Sequence, residues 1–122
     1  MSDFQLVTLS GTCDASGDLT LTADKNTWGY IDKVVMDYDN GDTGADIVIT
    51  NEDGAATTAV MTKANLGTAD ATFQPRSLAN KVADGSAFTD VAVPIFVTGN
   101  MKMVISNGGN AKKFKFITVI VR

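Results

Sequence analysis

Short clusters of glycine, aspartate and asparagine interrupt this chain at intervals that leave room for strands but not for long helices. They lie at residues 16–18, 39–42, 51–54, 84–85 and 107–110, and these residue types favour turns. Of the fourteen acidic residues, thirteen are aspartate and only Glu52 is glutamate. Aspartate favours turns and caps whereas glutamate favours helix interiors. The chain is therefore predicted to be an all-β protein.

Apolar residues alternate with polar ones between the turn clusters, as in Ala45, Ile47 and Ile49, which is the period of half-buried strands. Strands are predicted at residues 4–9, 18–23, 30–38, 45–50, 57–62, 91–98, 101–106 and 113–121. With 122 residues the chain suits a single domain, 1–122. We expect an antiparallel β-sandwich of about eight strands, jelly-roll-like, with an immunoglobulin-like sandwich as the alternative.

Two segments give finer predictions. Residues 62–90 lack clear periodicity, so we expect a long loop excursion with a short helical turn at 77–82. Gly99 and Asn100 suit the turn of a two-residue hairpin, which would place Phe96 opposite Met103. Pro94 lacks an amide proton and is restricted to a strand edge, a strand start or a bulge.

The last predicted strand is apolar on both faces. Phe114, Phe116 and Ile120 point one way, and Ile117, Val119 and Val121 point the other. An antiparallel sheet in a monomer normally presents one polar face to water. We therefore expect Phe114 and Phe116 to fill the core, and Ile117, Val119 and Val121 to lie against a partner or against the 62–90 excursion.

The composition argues against catalysis. The chain has no histidine, and Cys13 is its only cysteine, which removes the usual general base and the common zinc and nucleophile arrangements. We expect no enzyme activity, no cofactor and no metal, with Cys13 inert. The net charge of −4 argues against direct nucleic-acid binding. The chain has no apolar run long enough to cross a membrane and no secretory signal, so we expect synthesis in a cytoplasm.

Charge is unevenly distributed along the chain. Residues 1–56 carry eleven acidic and two basic side chains, and residues 57–122 carry three acidic and eight basic ones. Either strands from the two halves interleave and mix the charges, or opposed faces meet neighbouring molecules. Around the last strand Lys112, Lys113 and Lys115 are candidate contacts for an acidic protein surface, or else they protect an edge strand. Arg76, after a proline, is a candidate interface anchor.

Three hypotheses about a functional site remain open, and each has a simpler structural explanation. Residues 37–46 are rich in aspartate and suggest calcium, but the spacing does not fit an EF-hand, and a solvated turn between two strands explains the same residues through Asx-turn chemistry. Asp37, Asp39 or Asp46 would be the nominal carboxylates of a glycosidase. Trp28, Tyr30 and Tyr38 would serve either a carbohydrate-binding surface or the end of a core.

Four segments carry a resemblance to a known family: residues 28–35, 44–50, 74–76 and 93–105. Together they resemble the small β-sandwich decoration (cement) proteins of tailed-bacteriophage capsids. The resemblance implies a virion protein, often trimeric, that clamps neighbouring major capsid subunits on the head exterior. Our leading hypothesis is accordingly a capsid-decorating structural protein that forms a homo-oligomer, with a trimer favoured. A carbohydrate-binding or adhesin-like module is the alternative.

Overall fold

The computed structural model describes residues 3–54, 56–81 and 83–122, and within them the regular structure is entirely β. No helix that could span a membrane occurs in these residues. The ten strands are β1 (Phe4–Thr12), β2 (Leu19–Thr22), β3 (Thr27–Met36), β4 (Ala45–Asp53), β5 (Ala56–Leu66), β6 (Ala71–Phe73), β7 (Ser77–Asn80), β8 (Ala87–Val93), β9 (Phe96–Ser106) and β10 (Lys113–Val121).

Eight of the strands form two antiparallel four-stranded sheets, which are joined because the first residues of β9 also pair with β3. Sheet A has the order β1-β10-β3-β6, and sheet B has the order β2-β9-β4-β5. When the β7–β8 hairpin is left out, the remaining strands pair from the two ends of the chain towards its middle. These pairs are β1 with β10, β2 with β9, β3 with β6 and β4 with β5. This nested pairing is that of a jelly roll. It confirms the predicted all-β sandwich and selects the jelly roll over the immunoglobulin-like alternative.

The core lies between the two sheets and follows from the alternation in the sequence. Inward residues of β10, Phe116 and Ile120, are fully buried, as are Ile31 of β3, Ile47 of β4 and Met103 of β9. Phe114 is also buried, so the predicted inward face of the last strand is confirmed. Each such side chain stabilises the fold by roughly 1.5–3 kcal/mol relative to full exposure.

The predicted hairpin at Gly99 and Asn100 is wrong, because β9 runs through both residues without reversing. Its first residues pair with β3, with Gly99 opposite Thr27, and its later residues pair with β4 and β2. Gly99 has φ +97°, which lets the strand leave sheet A and enter sheet B. Met103 is accordingly buried opposite Ile49, far from the predicted partner Phe96.

Residues 62–90 are not the unstructured excursion that was predicted. The segment completes β5 and forms β6, β7 and the start of β8. Its second half belongs to the β7–β8 hairpin, which pairs with no other described strand. The predicted helical turn is wrong over Ser77–Asn80, which is strand β7; Val82 lies outside the described residues. The hairpin turn is fixed by Asp84, whose Oδ1 accepts hydrogen bonds from the N–H and hydroxyl of Ser86. Pro94 lies between β8 and β9, outside both ladders.

Candidate docking surface

The outer face of sheet A carries a row of apolar side chains that crosses four strands. In the strand registers Phe4 lies opposite Val121, Val121 opposite Tyr30, and Tyr30 opposite Phe96. Phe4 is 62% exposed, Tyr30 51% and Phe96 45%. Such cross-strand neighbours lie about 5 Å apart on one face. They therefore form a continuous apolar surface that nothing in the described chain covers fully.

Neighbouring outward residues widen this row into a patch, which we call the apolar face. It comprises Phe4, Leu6, Trp28, Tyr30, Phe96, Ile117, Val119 and Val121. Val119 lies between Leu6 of β1 and Lys33 of β3 in register. Among the large hydrophobic side chains that are exposed in the described residues, five belong to the apolar face: Phe4, Leu6, Trp28, Tyr30 and Phe96. Contiguous exposed apolar surface of this kind marks an interaction site.

The three outward residues of β10 were the predicted interface residues. Ile117, Val119 and Val121 are each half-buried and lie on the face opposite Phe116 and Ile120. Their predicted orientation is thus confirmed. Their contact with a partner stays a prediction.

Three aromatic side chains of the apolar face form a compact cluster. The Trp28 and Phe96 ring centroids are 6.4 Å apart with an interplanar angle of 83°, and those of Tyr30 and Phe96 are 5.1 Å apart at 68°. These edge-to-face contacts hold the rings in fixed relative orientations. The rings project from the sheet as a ridge and share no common plane. Tyr38 lies elsewhere, and its hydroxyl donates to the Gly41 carbonyl at 3.0 Å.

Arg76, the predicted interface anchor, forms its hydrogen bonds inside the chain. Its Nη1 donates to the carbonyl oxygens of Ile31 at 3.3 Å, Asp32 at 3.1 Å and Pro75 at 2.8 Å. The carbonyls of Ile31 and Asp32 lie where the β3–β10 register shifts. Arg76 thereby ties the base of the β7–β8 hairpin to the edge of the apolar face. Contact between Arg76 and a partner stays a prediction.

A shallow pocket of about 410 Å³ adjoins the apolar face beside Arg76. Its walls include Tyr30, Pro94 and Val121, with the arginine at one side. Arg122 forms another wall; its Nε donates to the Trp28 carbonyl at 3.1 Å and its Nη1 lies 3.5 Å from Asp3. The pocket is an apolar recess whose lining includes Asp32 beside the two arginines.

The predicted basic group lies at the other end of β10. Lys115 pairs with Asp37 at 3.5 Å and Lys112 with Asp42 at 4.0 Å, and the Lys113 backbone N–H donates to Asn40 Oδ1 at 2.7 Å. Exposed pairs of this kind contribute at most about 1 kcal/mol each. Both pairs join an acid of the first half of the sequence to a base of the second half. The two halves therefore mix their charges, which supports the interleaved interpretation of the charge distribution.

The aspartates of residues 37–46 hold loops together. Asp46 accepts from the Asn65 N–H at 3.1 Å through Oδ1 and from Asn107 Nδ2 at 3.2 Å through Oδ2. Within residues 3–54, 56–81 and 83–122, no three histidine, cysteine or acidic side chains are grouped as a metal site would need. Cys13 is buried, and its burial, together with the nearby Asp14 and Asp18 charges, raises the pKa of the thiol. A raised pKa lowers the thiolate fraction and hence the reactivity.

Sequence reasoning missed Phe4, Leu6 and Phe96 as members of the apolar face. The sequence did contain a sign of Phe4 and Leu6, because β1 has apolar residues on both of its faces. Phe4 and Leu6 point outward, and Val7 and Leu9 point inward. Phe96 was assigned to a hairpin that does not exist. Its membership of the apolar face depends on the pairing of β9 with β3, a contact between residues far apart in sequence.

Comparison with known proteins gives one structural likeness. No family model matches the chain, and no curated protein matches it. A chain in the structure of infectious bursal disease virus, Gx strain, is similar at a TM-score of 0.32 and 14% sequence identity. The match covers 98% of this chain and 38% of the viral chain, so this chain spans less than two fifths of the length of that one.

Proposed function

We propose that this chain is a structural virion protein that decorates and cements the capsid of a tailed bacteriophage. In this proposal it acts by adhesion: the apolar face docks on the major capsid protein at the outer surface of the head and bridges neighbouring subunits. The chain would be made in the host cytoplasm, would act without cofactor or chemical step, and would not contact the packaged nucleic acid.

The apolar face is the observation that carries this proposal. Aromatic residues in a packed patch dominate protein–protein binding energy, and Trp28, Tyr30 and Phe96 form such a patch at the end of the face. Exposing them in a free protein is a solubility cost that a permanent partner removes. The jelly roll is also an architecture that capsid and lectin domains use, which supports the proposal by analogy only.

Stabilisation of the capsid shell follows from the thermodynamic linkage between binding and assembly. A protein that binds the assembled shell and not its separated subunits stabilises the shell in proportion to the logarithm of its concentration over its Kd. Many copies on one head add their contributions. No catalytic group is needed for this effect, which is consistent with a chain that has no histidine.

The direct test uses empty heads assembled from the purified major capsid protein of a tailed bacteriophage that carries the gene for this chain. Purified chain is mixed with the heads, and the heads are pelleted through a sucrose cushion. We expect saturable co-sedimentation, and a higher disruption temperature for coated heads by light scattering. A chain that stays in the supernatant at tens of micromolar would contradict the proposal.

The exposed aromatic cluster favours one alternative, a carbohydrate-binding module. Sugar rings stack on aromatic side chains, and Trp28 is 56% exposed. If this alternative holds, a glycan array gives binding that Trp28→Ala abolishes and Tyr38→Phe retains, because Tyr38 lies outside the cluster. We expect no glycan binding by the wild type, since the near-perpendicular rings offer no shared flat platform.

A further inference from the structure

The four sheet edges of the jelly roll are protected unequally. Edge strands invite pairing with other chains, and proteins guard them with shortness, bulges, charges or proline. Edge strand β2 has four residues and β6 has three. Edge strand β5 is longer, but its register with β4 shifts twice and it carries Lys63. Three of the four edges therefore carry a recognised guard.

The fourth edge, β1, has none of these guards within the strand itself, and residues 21–25, Asp24 and Lys25 among them, line an open groove beside its residues 7–10. It is nine residues long, reads FQLVTLSGT, and keeps an unbroken register with β10 from Phe4 to Thr12. The strand contains no charged residue, no proline and no bulge. Long, flat and uncharged edges are those to which a further strand adds.

Backbone geometry identifies which groups of β1 are free. The Arg122 N–H donates to the Asp3 carbonyl at 2.9 Å and the Cys13 N–H to the Lys112 carbonyl at 2.8 Å. In an antiparallel ladder, hydrogen-bonded pairs alternate along the strand. The odd-numbered residues of β1 therefore bond to β10, and Leu6, Thr8 and Ser10 direct their N–H and C=O groups away from it. These groups form no hydrogen bond within the described part of the chain.

We propose that this edge is a homodimer interface, in which β1 pairs antiparallel with β1 of a second copy across a two-fold axis. Centring the pair on Val7 places Leu6 opposite Thr8 and Phe4 opposite Ser10. Each pair has free donors and acceptors on both sides and exchanges two backbone hydrogen bonds. Sheet A then continues from one copy into the next.

A second copy fits this edge for two reasons. Like charges directly opposite each other destabilise a sheet, and β1 has no charge that self-pairing would oppose to itself. The outward side chains of β1, Phe4 and Leu6, also belong to the apolar face. Pairing at this edge joins the apolar faces of both copies into one surface of twice the width.

Thr8→Pro tests the pairing. Proline removes the N–H of residue 8, which faces the free edge, and leaves the β1–β10 hydrogen bonds in place. We expect the wild type to be a dimer at tens of micromolar by light scattering, and Thr8→Pro to dissociate at least tenfold more readily. Thr8→Lys keeps the N–H but brings two cations to the interface, and it is expected to dissociate the dimer as well. Thr62→Lys, on the exposed side of the guarded edge β5, is the matched control and should remain dimeric.

Amide exchange provides a second measurement that does not depend on a variant. Protection of the Leu6, Thr8 and Ser10 amides should rise with protein concentration, because dimerisation engages them. Fast exchange of these amides at all concentrations would overturn the proposal. A wild type that is monomeric would also overturn the proposal. A wild-type trimer, as the family resemblance implies, would overturn it too if Thr8→Pro leaves that trimer intact. Head binding by folded, monomeric Thr8→Pro separates this proposal from the capsid function, since either can fail alone.

Discussion

Replacing Val119 with aspartate is expected to reduce binding to heads by at least a hundredfold and to leave the isolated fold nearly unchanged. Val119 belongs to the apolar face and lies between Leu6 and Lys33 in register. In the free protein the new carboxylate reaches water and the opposite lysine. In the docked complex the carboxylate is withdrawn from water, and its pair with Lys33 does not offset that desolvation, which costs about 3–5 kcal/mol. Co-sedimentation with heads measures the first effect, and the thermal midpoint measures the second.

Val48→Asp is the matched control for this variant. Val48 is also a valine on the outward side of a strand, 39% exposed, but it lies in β4 of sheet B. We expect Val48→Asp to bind heads as the wild type does. Equal losses in both variants would mean that the docking surface is not the apolar face, and normal binding by Val119→Asp would mean the same.

The second large effect is on the fold itself, at Gly99. We expect Gly99→Ala to lower the free energy of unfolding by about 3 kcal/mol or more. Strain at a positive φ contributes ~1–3 kcal/mol and overpacking ~1–3 kcal/mol. A Cβ on Gly99 would stand 2.2 Å from the Glu52 carbonyl oxygen and 2.9 Å from the Asp53 Cα. Both obstacles are backbone atoms, so the end of β4 would have to move.

Urea unfolding followed by tryptophan fluorescence measures this loss, because Trp28 pairs directly with Thr98 beside Gly99. Gly67→Ala is the control: a Cβ at Gly67 meets no atom within 4 Å, and its φ lies outside the positive range. Alanine there should leave stability unchanged or raise it slightly, since alanine restricts the unfolded chain. A Gly99→Ala midpoint equal to that of Gly67→Ala would show that β9 does not need glycine to change sheets.

Local pattern in the sequence was sufficient to predict β1 to β5 and β10, within a few residues at their ends, and the inward face of β10, but it did not predict β6 and β7. Phe114, Phe116 and Ile120 recur with period two, and that period alone places them on one face. The all-β class followed from aspartate-rich turns in the same way. The fold class and the inward face of β10 depend on residues that are only a few positions apart in the sequence. At that range, turn propensity and the alternation of apolar and polar residues determine the structure.

Long-range pairing decided the features that the sequence did not predict. Gly99 and Asn100 have the composition of a tight turn, but β3 pairs with β9 ahead of them and β4 and β2 pair beyond them, so the chain bends without reversing. Asn100 Nδ2 donates to the carbonyls of Ala23 at 2.8 Å and Lys25 at 3.2 Å. Its role is to hold a distant loop, and composition alone does not distinguish that role from a turn.

The β7–β8 hairpin gives this small chain a practical use. Because both strands pair only with each other in the described chain, its tip at Asp84 and Gly85 lies outside the register of either sheet. Exposed loop tips accept foreign sequence better than any part of a core. A peptide inserted between Asp84 and Gly85 would leave the jelly roll intact. Under the proposed function, a coated head would then display the peptide in many copies on one particle.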